Sequence, residues 1–158
     1  QLNKHPEGGY YREIYRSGEI ISIEVPKNNL KRNVSTSIYF LLEGAQISKF
    51  HRLKSDELWH FYDGGSVKVY VIDEKGKLAE IVLGRKTEEG EIFQTVIKKN
   101  NWFAAEVINK RSFSLIGCTV SPGFDFSDFE LANREDLLEC FPKHKSLILK
   151  FTKQGLHP

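Results

Sequence analysis

The chain has 158 residues, of which 40% are hydrophobic, so it is long enough to form a domain with its own core, and we expect one domain spanning residues 1–158. Its formal net charge is only +2 and its basic residues are interspersed with acidic ones, which argues against nucleic acid or an anionic membrane as a partner. The sequence has no apolar run as long as a membrane span and no apolar signal core near its start, so we expect a cytoplasmic protein.

Short apolar or alternating runs, broken by turn residues about every 8 to 12 positions, predict an all-β fold. The turns contain Gly, Asn or Asp, as at Gly8-Gly9, Lys27-Asn28-Asn29 and Asp63-Gly64-Gly65. In chain order, the predicted strands are Tyr11–Ser17, Ile20–Val25, Ser35–Leu42, Ile47–Leu53, Glu57–Tyr62, Val67–Asp73, Ala79–Leu83, Phe93–Ile97, Phe103–Ile108 and Ser112–Val120.

Helix is predicted only after these strands. Asn133 is a suitable N-cap for a helix that Pro142 ends, and Ser146–Phe151 has the pattern of a second short helix. About ten strands followed by one or two short C-terminal helices predict a closed double-sheet barrel of jelly-roll type, a β-sandwich whose interior can hold one small ligand. Cys118 and Cys140 lack CxxC spacing, so we expect free thiols.

The most informative stretch is HRLKSDELWHFYDG, which runs from His51 to Gly64 and combines acid-base and aromatic residues. Strand alternation puts Glu57, Trp59 and Phe61 on one face, and His60 on the other. We interpret this segment as one wall of a small-molecule pocket. Trp59 and Phe61 either stack on a ligand or fill the barrel core.

Three residues are candidates for acid-base chemistry. His51 is the candidate general base or acid, because histidine titrates near neutral pH, and Glu57 is the candidate carboxylate that orients it. Tyr39, on a neighbouring predicted strand, is the candidate phenolic acid. The alternatives are that His51 is a buried, hydrogen-bonded histidine without chemistry and that Tyr39 packs in the core.

Further candidate ligand contacts lie outside this segment. Glu7 and Tyr11 flank Gly8-Gly9, and this N-terminal arm either lines a pocket, in this chain or in a neighbour of a dimer, or simply anchors a strand. Trp102 precedes a predicted strand and adds an aromatic surface. Asp125, in an aromatic-rich turn, either binds a ligand hydroxyl or helps to clip the C-terminal helix onto the barrel.

The chain resembles the cupin superfamily, and within it the uncharacterised family that opens with a His-Pro-Glu-Gly-Gly motif (domain of unknown function 985). This resemblance implies a jelly-roll barrel, a homodimer and a ligand-sized cavity. The family is similar in fold to deoxysugar-nucleotide epimerases, which act without metal. The matching stretches are His5–Tyr11, Ser35–Leu42, Phe50–Arg52, Asp56–His60, Asn101–Ala105 and Gly117–Phe126.

The chain departs from the usual cupin metal motifs. Glu57 and Gly64 keep the last spacing of the first motif, but one of its two histidines is missing, and the region of the second motif offers Trp102 and Phe103 instead of a histidine. A transition-metal site needs three or four ligands. We therefore expect no metal or other cofactor; if a divalent metal were present, His51 and Glu57 would be its ligands.

Three functions remain open at this stage. The first is a metal-independent isomerase or epimerase that acts on a sugar-like or nucleotide-sugar substrate. The second is a non-catalytic module that binds a small polar metabolite, and the third is a metal-dependent cupin enzyme. The first rests partly on fold analogy, which does not establish an activity.

Overall fold

The computed structural model describes residues 1–25 and 28–153, in which β-strands predominate. The strands are β1 (Asn3–Lys4), β2 (Tyr10–Arg16), β3 (Ile20–Val25), β4 (Asn28–Asn33), β5 (Thr36–Glu43), β6 (Ile47–Leu53), β7 (Asp56–Gly64), β8 (Val67–Ile72), β9 (Leu78–Leu83), β10 (Gln94–Ile97), β11 (Trp102–Val107), β12 (Phe113–Ser121) and β13 (Phe129–Leu131). The helices are α1 (Arg134–Cys140) and α2 (Lys145–Phe151). Short 3-10 turns lie at Thr87–Glu89, Phe126–Asp128 and Pro142–His144.

The strands form two facing antiparallel sheets and a small separate one. The six-stranded sheet has the order β1-β2-β5-β12-β7-β10, and the five-stranded sheet has the order β13-β6-β11-β8-β9. Strands β3 and β4 pair with each other. The prediction of an all-β double-sheet jelly roll followed by short helices is confirmed.

Strand bounds agree with the sequence-based predictions to within two residues. The strand predicted at Ile47–Leu53 has the bounds of β6. Strands β1, β4 and β13 were not predicted. The turn predicted at Lys27-Asn28-Asn29 is wrong for Asn28 and Asn29, which begin β4, while Lys27 lies outside the described residues.

The interior of the barrel is filled at one end. Leu42, Phe61, Val67 and Ile116 come from both sheets and belong to one buried cluster there. Alternating positions of β5, β7 and β12 continue toward the other end, where Thr36, Glu57 and Val120 line open space instead. This difference between the two ends determines which inward-facing residues are available to a ligand.

The two helices cover the outer face of the five-stranded sheet. Asn133 caps α1, because its Oδ1 accepts a hydrogen bond from the Asp136 backbone N–H at 3.1 Å. On α2, the fully buried Phe151 packs against Phe50 and Tyr70, with ring centroids 6.0 and 5.2 Å away. Among the described residues, neither helix nor any 3-10 turn has the length and apolar character needed to cross a membrane.

A buried carboxylate ties α2 to the sheet. Glu106 on β11 accepts hydrogen bonds from the Tyr70 hydroxyl at 2.9 Å, from Lys110 at 2.8 Å and from Lys150 at 2.6 Å. Burial opposes the charge, but the two lysines and the tyrosine outweigh it and lower the pKa of Glu106 to about 2. The two cysteines are free thiols, as predicted, with Cys118 buried and Cys140 exposed.

Candidate functional site

The open end of the barrel contains a cavity of about 320 Å³ between the two sheets. Acidic, imidazole and aromatic side chains share its wall, which is a combination that a core rarely contains. Its lining residues are His5, Glu7, Tyr11, Glu13, Arg16, Thr36, Ile38, Phe40, His51, Leu53, Glu57, Trp59, Cys118, Val120, Phe124, Asp125, Phe126 and Phe129.

A glycine turn brings the N-terminal arm into this cavity. Gly8 and Gly9 have φ values of 123° and 69°, which favour glycine, and a Cβ on Gly8 would collide with the Ile47 carbonyl oxygen. The close approach lets the Lys49 backbone N–H donate to the Glu7 carbonyl at 2.9 Å. Glu7 is thereby held against β6 with its side chain inside the barrel.

The Glu7 carboxylate lies between two histidines. Its Oε2 is 3.1 Å from His51 Nε2 and 3.2 Å from His5 Nδ1, while the Ser48 hydroxyl donates to its Oε1 at 2.7 Å. Burial opposes ionisation more than any other single effect, but His51, His5 and Ser48 together lower the pKa of Glu7 below its ordinary value. Glu7 is therefore an ionised, buried carboxylate at neutral pH.

His51 lies between two hydrogen-bond acceptors. Its Nδ1 is 2.7 Å from the Lys49 carbonyl oxygen, so Nδ1 carries a proton, and its Nε2 faces Glu7. Burial lowers the pKa of His51, which disfavours the doubly protonated ring that would serve both acceptors, whereas the charge of Glu7 raises it. Burial is the larger effect, so the pKa of His51 lies below its ordinary value.

Glu57 lies on the facing sheet in the opposite protonation state. Burial and the negative charge of Glu7 raise the pKa of Glu57 to about 8, so it is a neutral carboxylic acid at pH 7. Its Oε2 is buried without a hydrogen-bond partner, and so is the indole Nε1 of Trp59. Trp59 and Cys118 lie close enough to favour the charged form of Glu57, but burial outweighs them.

Aromatic rings and one ion pair form a further part of the wall. The His5 ring makes edge contacts with Tyr11 and Phe129, with centroids 5.0 and 5.5 Å away, and stacks on Phe126 at 6.1 Å. Arg16 donates from Nε and one terminal nitrogen to both carboxylate oxygens of Glu13, at 3.0 and 2.7 Å. The ring contacts hold Tyr11, Phe126 and Phe129 around the imidazole of His5.

Six of the predicted site residues line the cavity. They come from three separate parts of the chain: the N-terminal arm, the pair of strands β6 and β7, and the turn before β13. These six residues are His51, Glu57, Trp59, Glu7, Tyr11 and Asp125.

Three predicted site residues do not reach the cavity. Tyr39 alternates with the inward-facing Ile38 and Phe40, so it lies on the outer sheet face, where it is 41% exposed. Phe61 faces inward but fills the closed end of the barrel. Trp102 lies on the outer face of β11, packed beside the helices, with the Arg52 guanidinium 4.4 Å from its ring centroid.

The predicted partner of His51 is also wrong. Glu7, not Glu57, lies within hydrogen-bond distance of the imidazole, because the glycine turn folds the arm over β6. His5 was not a predicted site residue, although its place two residues before Glu7 was a usable signal. Cys118 borders both the core and the cavity.

The candidate metal ligands do not fit a metal centre. Both ring nitrogens of His51 already face oxygen atoms, and Glu57 lies on the facing sheet. In the part of the chain that the structure describes, no group of three or more His, Cys, Asp or Glu side chains is arranged to hold a metal ion. We therefore assign no reaction step to a metal.

Comparisons with known proteins identify close relatives and a wider fold group. An uncharacterised protein from Saccharomyces cerevisiae is 32% identical over 150 residues, which span 88% of this chain and 74% of the relative. A solved protein from Shewanella oneidensis has a TM-score of 0.86 at 41% identity, covering 98% of this chain and 92% of the other. A hypothetical protein from Leishmania major has a TM-score of 0.88 at 32% identity, covering 97% and 94%.

The fold also matches a more distant enzyme. Oxalate decarboxylase from Bacillus subtilis has a TM-score of 0.60 at 16% identity, and the match covers 97% of this chain but only 37% of that enzyme, so it shows the fold alone. The sequence profile described as "Cupin superfamily (DUF985)" matches residues 1–132, which include the cavity. The chain therefore belongs to the DUF985 family of the cupin superfamily.

Proposed function

We propose that this protein is a metal-independent isomerase or epimerase that moves a proton on a carbon next to a carbonyl group of a small sugar-like metabolite. The observation that carries the proposal is a pair of buried carboxyl groups in one cavity, whose surroundings shift their pKa values in opposite directions. Glu7 is ionised beside His51, whereas Glu57 is a neutral acid. Groups whose environments push their pKa values apart in this way are suited to act as base and acid.

Glu7 is the base in the proposed reaction. Its carboxylate takes the proton from the carbon, and the electron pair of that C–H bond forms the C=C bond of an enol. His51, His5 and Ser48 surround the carboxylate and hold it in position. His51 acts through Glu7 as a positioning residue, because neither of its nitrogens is free to meet a substrate.

Glu57 is the acid. As the carbonyl oxygen gains electron density, Glu57 donates its proton to that oxygen and becomes a carboxylate. Glu7 then returns its proton to the neighbouring carbon and the Glu57 carboxylate takes the proton of that carbon's hydroxyl group, which completes an isomerisation. In an epimerisation, water at the open end of the cavity protonates the opposite face of the same carbon, while Glu57 regains its proton from the enol and Glu7 releases its proton to solvent. Each such acid or base typically contributes about 10²- to 10⁴-fold to the rate.

The test is exchange of solvent deuterium into a sugar, followed by proton NMR, with a panel of aldoses and ketoses incubated in D2O. We expect the wild type to exchange a hydrogen adjacent to the carbonyl of at least one sugar. Glu7→Gln should reduce that exchange at least about 100-fold, because the amide cannot accept the proton. Glu130→Gln is the matched control, since Glu130 is exposed, lies outside the cavity and pairs with Arg52.

If no sugar exchanges, or if Glu7→Gln exchanges as fast as the control, the proposed reaction is wrong. A non-catalytic binding function is the second candidate. It is favoured by the two unpartnered polar atoms of Glu57 and Trp59, which can hold a ligand by hydrogen bonds without any reaction. Binding of a sugar without any exchange would decide for this candidate.

A further inference from the structure

Two buried polar atoms in the cavity wall are available to a ligand of defined chemistry. Glu57 Oε2 and Trp59 Nε1 are unpartnered, and their residues are 8% and 1% exposed. An unpaired buried polar group costs about 1–3 kcal/mol, so a ligand that satisfies it gains affinity. Trp59 offers only an N–H donor, and Glu57 in its neutral form offers an O–H, so the complementary ligand atom is an oxygen with free lone pairs.

The cavity offers no free cation for an anionic ligand. Arg16 is the only Lys or Arg among the described lining residues, and each of its three side-chain nitrogens already donates a hydrogen bond. Two of its nitrogens bind Glu13, and the third donates to Asn33 Oδ1 at 2.9 Å and to the Phe124 carbonyl at 3.1 Å. A phosphate would have to break these bonds to gain an arginine partner.

Carboxylates make the same wall unfavourable for phosphate. Glu7 is ionised and buried, and Asp125 adds a second negative charge, which the Ser127 hydroxyl and N–H stabilise at 2.6 and 2.8 Å. A like charge placed close to a buried carboxylate is repelled, because little solvent screens the pair. The volume of about 320 Å³ is also near the lower limit of ordinary ligand pockets, which suits a ligand of monosaccharide size.

We propose that the substrate is an uncharged carbonyl compound of monosaccharide size, without phosphate or nucleotide, whose oxygen accepts hydrogen bonds from Trp59 Nε1 and Glu57. The carbonyl group of the ligand is inferred from the proposed function. Its lack of charge and its size are inferred from the residues and the volume of the cavity. The proposal therefore predicts that free sugars bind better than sugar phosphates and nucleotide sugars.

The experiment measures binding rather than turnover, by isothermal calorimetry at neutral pH. The probes are unphosphorylated aldoses and ketoses of three to seven carbons, with glucose 6-phosphate, fructose 6-phosphate and UDP-glucose as charged counterparts. We expect at least one free sugar to bind, and its charged counterparts to bind at least tenfold more weakly. For a sugar that binds, Trp59→Phe should weaken the affinity about tenfold, as expected for the loss of one hydrogen bond of about 1.4 kcal/mol.

Two variants make the result specific to these contacts. Trp102→Phe changes the tryptophan that lies outside the cavity, so it should leave sugar binding unchanged and controls for general effects of losing an indole. Glu13→Gln should strengthen binding of the phosphate esters several-fold, because it weakens the ion pair that occupies Arg16. Melting temperatures of all variants establish that they are folded.

The proposal is overturned if a phosphate ester or UDP-glucose binds the wild type as tightly as the free sugar, or if no free sugar binds. It is also overturned if Trp59→Phe and Trp102→Phe affect binding equally. Binding of a free sugar without deuterium exchange would refute only the proposed isomerase. Exchange into a sugar phosphate would refute only the present inference.

Discussion

Replacing Glu57 with glutamine should change how the stability of the protein depends on pH. Glu57 has a pKa of about 8 in the folded protein, mainly because burial penalises its charged form, against an ordinary value of 4.5. Between these two values the folded protein keeps a proton that the unfolded chain has released. The free energy of unfolding therefore falls as pH rises through this window.

The magnitude follows from the two pKa values. Each pH unit inside the window changes the free energy of unfolding by about 1.4 kcal/mol. Between about pH 5.5 and about pH 8 the contribution of Glu57 to the free energy of unfolding falls by about 3 kcal/mol. This is slightly less than the full slope would give over that range, because the protonated fraction of a carboxyl changes gradually near its pKa. Glutamine has nearly the same shape and does not titrate, so Glu57→Gln lacks this loss and gains about 3 kcal/mol relative to the wild type over the same range.

The assay is urea denaturation of both proteins at several pH values and a fixed protein concentration. Glu106→Gln is the matched control, because the pKa of Glu106 is lowered to about 2 and its stabilising effect is lost only on acidification below its ordinary value. The difference between wild type and this control should therefore be constant from pH 5.5 to 8. If the difference between wild type and Glu57→Gln is constant as well, the carboxyl of Glu57 is not a neutral acid, and the reasoning about it is wrong.

Three further changes test the fold and the placement of residues. Gly8→Ala should destabilise the protein by more than about 1 kcal/mol in urea denaturation and slow the deuterium exchange into sugar, because the φ of Gly8 is positive and a Cβ there meets Ile47. Gly18→Ala, with open space around it, should have little effect, and equal effects of the two changes would contradict the role of the turn. Phe151→Ala should lower the free energy of unfolding by about 3–5 kcal/mol, whereas Leu149→Ala, at an exposed position, should lower it by less than about 0.5 kcal/mol. A small decrease for both variants would mean that α2 contributes little to stability. Tyr39→Phe should leave deuterium exchange unchanged, and a large loss would place Tyr39 in the reaction after all.

Local patterns were sufficient to predict the barrel strands. Alternation in β7 put Glu57 and Trp59 on one face and His60 on the other, because the side-chain period of a strand is fixed at two residues, and in the structure Glu57 and Trp59 are both buried. The same rule could have excluded Tyr39, since its neighbours Ile38 and Phe40 are the more apolar set. Alternation alone does not say how far along the barrel a residue lies, which is why Phe61 was misplaced.

The partner of His51 could not be predicted from local patterns. Glu7 is 44 positions from His51 in the sequence, and their contact depends on a turn in which two successive glycines adopt positive φ. A Gly-Gly pair predicts that a turn forms, but not which strand it approaches. Glu57 was the nearer carboxylate in sequence and was therefore chosen as the partner.

Carboxyl titration by carbon-13 NMR, with glutamate side chains labelled, tests the central assignment most directly. The Glu57 signal, identified by its loss in Glu57→Gln, should titrate near pH 8, while the Glu7 signal should stay ionised at neutral pH and titrate below its ordinary value. Titration of both carboxyls near the ordinary value, or a protonated Glu7 at neutral pH, would contradict the division of the cavity into one acid and one base.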